Sequence, residues 1–264
     1  MKKEDVENIL LSMDINTLSN FYGKDYFDGE KGNMKSNYTE SNWNYLKKKA
    51  IIDARIIVKY FSPVTALDIG CAKGFLVEEL RKSGVESFGI DISEYVLSQV
   101  SKDIKMYVKQ ADIRKLPNEW KGMFDFVSIF HTLEHIPEQH LLNVIKEISK
   151  ISKDVICIEV PISTRGIDND ITHMVIREFD YWKDLIEKEG FFKFKEMKIQ
   201  WRSYHTYAHN LSGWKIFQRV YGIKCRYCNS IYLTLLSPDP DNPKALFRCK
   251  ECEKTFWKHE GGTG

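Results

Sequence analysis

Apolar residues recur at a spacing near 3.6 through residues 3–20 and again through 42–60, where Ile51, Ile52, Ala54, Ile57 and Val58 share one face; both stretches read as helices. Between them, FYGKDYFDGEKGNMKSNYTESNW is rich in Gly, Asn and aromatic residues and keeps no regular period, so it reads as an aromatic loop. From residue 64 short apolar runs alternate with amphipathic stretches. VTALDIG precedes a helix at about 73–83, and SFGIDI precedes a helix opened by Ser93, a good N-cap. KMYVKQ, MFDFVSIF and DVICIEV are further strands, the last two flanking a helix at about 138–152. Strands separated by helices of this length imply right-handed crossovers and a mostly parallel sheet. Residues 178–189 read as another helix, ended by Gly190, and FFKFKEMKI and GWKIFQRV as two strands, one closing the sheet antiparallel. The expected fold is α/β: a doubly wound, mostly parallel seven-stranded sheet with an N-terminal helical cap and a small C-terminal zinc-ribbon domain. The expected units are residues 1–60 (cap or lid), 61–220 (cofactor domain) and 221–264 (ribbon).

The length of 264 residues suits one α/β domain plus a small appendage. With 39 basic and 37 acidic residues, the net charge of +2 exerts no general pull toward nucleic acid or anionic membrane. The first residues, MKKEDVENILLSMDI, do not resemble a secretory signal, and no apolar run approaches the roughly 20 residues that span a bilayer. A reducing cytoplasmic location is therefore expected. There, four of the six cysteines, in two tight pairs, indicate a metal site rather than disulfides.

The first strand of the alternating region runs into Asp68, Ile69, Gly70, Cys71, Ala72, Lys73 and Gly74. Strand ends in an open parallel sheet face the ligand crevice, and glycines let the backbone turn sharply and approach a ligand. The next strand ends in Asp91, 17 residues after Gly74, where a carboxylate suits a ribose diol. The third is followed by Ala111, Asp112 and Ile113, a carboxylate beside an apolar residue, which suits an adenine. A dinucleotide-binding Rossmann enzyme shares the acidic residue after its second strand. Its fingerprint needs a third glycine to seat a pyrophosphate, and Phe75 and Leu76 crowd the helix start here; Asp68 would also repel a phosphate.

The series LDIGCAKGFLVEEL, FGIDIS, ADIRKLP and FDFVSIFHTLEHIPE resembles the motifs of class I S-adenosylmethionine-dependent methyltransferases, over about residues 64–160. The resemblance implies that Asp68, Gly70 and Gly74, with Cys71, Ala72 and Phe75 of the same loop, frame the amino-acid end of S-adenosylmethionine. It implies that Asp91 and Ile92 hold the ribose, that Asp112 and Ile113 hold the adenine, and that His131 to Leu133 line the methyl-donor pocket. The family usually has Gly where this chain has Ala72, which sets the loop slightly farther from the cofactor.

His131, Glu134 and His135 follow the fourth strand, and His173 precedes the last long helix. An imidazole takes a proton from a hydroxyl or amine near neutral pH, which makes His135 and His173 the catalytic candidates. The same four residues have ligand types for a divalent metal. Their His-x-x-Glu-His spacing resembles the Glu-x-x-Glu-His element of small-RNA 3′-end 2′-O-methyltransferases, with His131 in place of the first Glu. Tyr22, Tyr26, Phe27 and Tyr38 are expected to close over the cofactor as a lid.

Cys225 and Cys228 are spaced C-x2-C, and after twenty residues Cys249 and Cys252 repeat that spacing. Two such knuckles bring four thiolates around a tetrahedral zinc with no open position, so the site is expected to be structural. Residues 215–264 hold nine Lys or Arg against five Asp or Glu, which the zinc thiolates partly offset, a weak footprint for nucleic acid. The expected activity is methyl transfer to O or N of a small-molecule or glycan acceptor. The rivals are an RNA methyltransferase using the ribbon for substrate contact and a non-catalytic cofactor-binding scaffold. No membrane partner is expected; a homodimer is compatible with the ribbon.

Overall fold

A computed structural model describes residues 2–12, 14–28, 38–161, 170–188, 192–196, 214–219, 228, 233–236 and 246–257. Seven strands form the central sheet: β1 (Thr65–Ile69), β2 (Glu86–Asp91), β3 (Val108–Gln110), β4 (Phe124–Phe130), β5 (Ser152–Glu159), β6 (Phe192–Phe194) and β7 (Lys215–Arg219). Their order is β3-β2-β1-β4-β5-β7-β6, parallel through β5, with β7 antiparallel to both β5 and β6. The direction of winding reverses between β1 and β4, which opens a crevice above their C-terminal ends.

The near-continuous apolar runs arise because both faces of this sheet are covered. Alternate residues point to opposite layers. Leu67, Val127, Ile156 and Ile158 pack with Leu141, Val144, Ile145 and Ile148 of α7 (Glu138–Ile151) and with Trp182 and Ile186 of α8 (Phe179–Glu187). Their neighbours Ala66, Phe126, Val155 and Cys157 pack on the other side, against Ala50, Ala54, Ile56 and Ile57 of α4 (Glu40–Phe61) and Leu76 and Leu80 of α5 (Phe75–Lys82). The stretch at 42–60 thus forms a layer of the sheet domain itself.

The stretch at 3–20 is not one helix. It divides into α1 (Lys3–Leu10) and α2 (Ile15–Phe21), because the Asp14 carboxylate accepts the N–H groups of Asn16 (3.3 Å) and Thr17 (2.9 Å) and starts a new helix. A further turn, α3 (Lys24–Phe27), follows. These short helices dock on the start of α6 (Glu94–Ser98): Ser93 Oγ donates to Tyr22 O at 2.5 Å, Glu94 N donates to Ser19 Oγ at 3.0 Å, and Tyr95 Oη donates to Asp28 at 2.7 Å. Ser93 also caps α6 by accepting from Val96 N, as expected. KMYVKQ is a strand only at its end, a 3₁₀ turn occupying Lys105–Tyr107.

At the C-terminus β8 (Leu233–Leu235), β9 (Leu246–Cys249) and β10 (Thr255–Trp257) make an antiparallel sheet of order β10-β9-β8. It is tied to the main sheet by ion pairs of Lys250 with Asp154 and of Lys195 with Glu251 (3.0 Å). No helix among the described residues is long and apolar enough to cross a membrane.

Candidate active site

The loop after β1 turns on three left-handed residues, Gly70 (φ 75°), Ala72 (φ 47°) and Gly74 (φ 70°). Gly70 has no alternative: a Cβ there would lie 2.1 Å from Thr132 Oγ1. Gly70 N and Cys71 N both donate to Ile90 O (2.8 and 3.0 Å), folding the loop back onto β2. Ala72 holds a conformation that costs a side-chain-bearing residue roughly 1–2 kcal/mol. Its N–H is fixed there by Asp91 Oδ2 at 2.9 Å, and Ser93 N holds Asp91 Oδ1 at 2.9 Å. Burial pushes the Asp91 carboxyl above the ordinary range, against these backbone donors.

Above the strand ends, Gly70, Ala72, Asp91, Ile92, Asp112, Ile113, Arg114, His131, Thr132 and His135 line one crevice, roofed by Leu10, Leu18, Tyr22, Tyr26, Phe27 and Tyr38. The expected aromatic lid therefore sits on the crevice. Tyr22 and Tyr26 meet edge to face (5.0 Å), and Tyr38 stacks on Trp43 (4.7 Å). Burial raises the phenol pKa values of Tyr22, Tyr26 and Tyr38, which keeps this roof neutral. Asp112 carries a partner that the sequence did not reveal. The Arg114 guanidinium grips its carboxylate through Nε and Nη2 (2.7 Å for the latter) and reaches Leu10 O at 3.3 Å, joining the adenine end to α1.

Several residues expected around the cofactor do not line the crevice. Asp68 turns into the sheet and accepts from Ser128 Oγ at 2.8 Å; burial pushes its pKa up to about 7. Cys71 is buried with Val77, Leu97 and Val100, and burial raises its thiol pKa. Gly74 is the N-cap of α5, and a Cβ there would meet Ile104 at 2.8 Å. Phe75 packs beneath α4, and Leu133 is fully buried in the α7 layer. The first four shape the loop after β1 from behind, and Leu133 anchors the turn after β4, because a strand-tip turn points only part of its side chains toward the ligand.

Among the catalytic candidates, His135 faces the crevice, 6.0 Å from the Tyr22 ring, and His173 lies behind it at 4.8 Å, outside the crevice lining. His135 Nδ1 contacts Thr172 Oγ1 at 2.8 Å, and Thr172 Oγ1 donates to Asp170 Oδ1 at 2.6 Å. Burial lowers the His135 pKa, so the ring is neutral. His131 adopts a left-handed φ of 51°, beside Glu134 (3.4 Å) and Glu159 (3.7 Å). Burial alone would lower its pKa, yet the two carboxylates push it up to about 10. Glu159 in turn pairs with buried Lys49 (3.0 Å), which also holds Asp53 (2.7 Å). Thr172, Asp170, Lys49 and Glu159 were missed, since no local pattern links residues so far apart in the chain.

In the C-terminal sheet Cys228, Cys249 and Cys252 bring their thiols within 4.8 Å of one another, with Cys228 Sγ 3.4 Å from Cys249 Sγ. Glu251 N donates to Cys249 Sγ at 3.4 Å, a contact that favours a thiolate. Cys225 lies outside the described residues.

Comparison with known proteins bears on the same region. Residues 66–154 match the methyltransferase domain family. The ubiquinone biosynthesis O-methyltransferase of Methylococcus capsulatus is 33% identical over 78 residues, covering 28% of this chain and 33% of the relative. That of Pseudomonas paraeruginosa is 32% identical over 79 residues, 28% of this chain and 34% of its own. This chain thus spans about a third of the length of the curated relatives it matches. In fold it resembles magnesium protoporphyrin IX methyltransferase of Synechocystis PCC 6803 with bound SAH, with a TM-score of 0.53 and 14% identity over 78% of this chain and 99% of that one. The segment similar to the methyltransferase domain supplies β1 to β4 and the loops between them, the elements whose ends line the crevice.

Proposed function

We propose that this chain transfers a methyl group from S-adenosylmethionine to an oxygen of a small-molecule acceptor. One observation carries the reading. The Gly70–Ala72 turn, Asp91 and the Asp112–Ile113 pair converge on one crevice, under a roof of neutral aromatic rings. The sulfonium cofactor supplies an electrophilic methyl that is already activated, so the protein's task is positioning. Asp91 spends one acceptor site of each oxygen on Ala72 and Ser93, and each oxygen keeps another for a ribose hydroxyl. Ala111 and Ile113 offer apolar surface to the adenine. Tyr22, Tyr26 and Tyr38 exclude water from the methyl-donor end. The cluster around His135 and His173 takes charge of the acceptor's proton.

Two features favour a small acceptor over RNA. Arg114 is the one Lys or Arg among the described crevice residues, and Asp112 occupies it. The roof is aromatic and apolar, which suits a hydroxylated organic body. The relatives named above are O-methyltransferases, which supports oxygen over nitrogen.

The C-terminal unit is proposed to hold a structural zinc through Cys225, Cys228, Cys249 and Cys252. The convergent thiols and the N–H donated to Cys249 Sγ fit that ion, and four ligands leave it no open position.

Calorimetry of the purified chain with S-adenosylmethionine and its demethylated product tests the cofactor reading. Mass spectrometry after incubation with hydroxylated aromatic acceptors tests the transfer. Saturable binding of both cofactor forms is expected; absence of binding to either overturns the proposal.

A further inference from the structure

We infer, resting on the cofactor reading above, that Arg114 rather than Asp112 meets the edge of the nucleobase, so that the base subsite accepts a 6-oxopurine in place of adenine.

A carboxylate just after β3 suits adenine only while it keeps an acceptor site for the exocyclic amine. Asp112 keeps none to itself. An ionised carboxylate offers about four such sites. Arg114 N (2.9 Å) and Arg114 Nε (3.0 Å) donate to Asp112 Oδ1. Arg114 Nε (2.9 Å) and Nη2 (2.7 Å) donate to Oδ2. All of these donors belong to one residue, two positions along the chain, so the turn after β3 fills the carboxylate by itself.

The guanidinium is in the opposite state. It carries five N–H groups. Nε–H and one hydrogen of Nη2 go to Asp112, and one hydrogen of Nη1 goes to Leu10 O at 3.3 Å. One N–H on each terminal nitrogen is left with no partner among the described residues. Arg114 is buried, yet it lines the crevice beside Ala111 and Ile113. A buried donor without a partner is costly, and a ligand acceptor removes that cost. Asp112 thus neutralises the charge of Arg114 while the base subsite still presents N–H groups.

Purine edges differ in what they offer to such donors. Adenine shows an amine donor beside N7, an acceptor; a 6-oxopurine shows two acceptors, O6 and N7, which a guanidinium matches. With Asp112 filled, exchanging the amine for oxygen removes no hydrogen bond that the crevice has room to make, and it gives Arg114 a second acceptor.

Calorimetry on the full chain compares S-adenosylhomocysteine with its 6-oxo analogue, S-inosylhomocysteine. The analogue is expected to bind tighter than the parent or within about fivefold of it, the low end of what one base-edge pair discriminates. A larger loss overturns the inference. Arg114→Lys removes the planar fork and releases Asp112 to accept the amine, so the ratio of the two affinities should move toward the adenine form by at least about fivefold. Arg114 also holds Leu10 O of the roof, and a purely structural role would weaken both ligands alike. An unmoved ratio therefore overturns the inference as well. Should Arg114→Lys fail to fold, the ratio on the unaltered chain decides. Binding of neither ligand removes the cofactor reading and this inference with it. Binding of the adenine form with the analogue excluded removes this inference alone.

Discussion

The Asp91 carboxylate at the end of β2 accepts the backbone N–H of Ala72 in the loop after β1, at 2.9 Å. One side chain therefore serves two ends, since the same group faces the crevice where a ribose would lie. Asp91→Ala should weaken S-adenosylmethionine binding by roughly one to two orders of magnitude, the worth of one charged hydrogen bond. Calorimetry reads this directly. Unchanged affinity would show that the ribose lies elsewhere.

Ala72 sits at φ 47°, where glycine is at ease. Ala72→Gly relieves that strain but gives the unfolded chain more freedom, and the relief is the larger effect. The variant should gain roughly 0.5–1 kcal/mol of stability. Urea unfolding midpoints compare the two proteins, and a lower midpoint for the glycine variant would refute the argument.

Asp68 titrates near 7 in the folded chain against 3.8 for an ordinary aspartate, because burial disfavours its charge. Between those values the native state holds a proton that the unfolded chain has released. Stability should therefore fall as pH rises from about 4 to 7, with a slope of up to about 1.4 kcal/mol per pH unit from this group, and level off above 7. Asp68→Asn removes the titrating group. The difference between the two proteins' urea curves across pH 4.5–7.5 isolates its contribution, and parallel curves would mean that Asp68 ionises normally.

Cys249 belongs to β9 and to the thiol cluster, and links of this sheet to the main one among the described residues include the ion pairs of Lys250 with Asp154 and of Glu251 with Lys195. Cys249→Ser, or chelation, should release zinc and open the C-terminal sheet while leaving cofactor affinity within about twofold. Zinc content and cofactor calorimetry on one preparation check both. A concurrent loss of cofactor binding would make the C-terminal sheet part of the active domain.

What could be read along the chain was whatever has a short period or a fixed place at a strand tip. The alternating apolar runs imposed β1 to β5, and Asp91 and Asp112 were legible because the C-terminal ends of parallel strands open onto the crevice. The cysteine spacing was equally local. The tertiary structure alone decided which way each loop residue points: Asp68 toward Ser128, Cys71 into the core, Ala72 to Asp91. It also decided the partnerships across distance, such as Lys49 with Glu159, or the backbone of Glu134 with Met174. Hydrophobic periodicity is a property of neighbours, whereas the pairing of a buried charge depends on every element that closes around it.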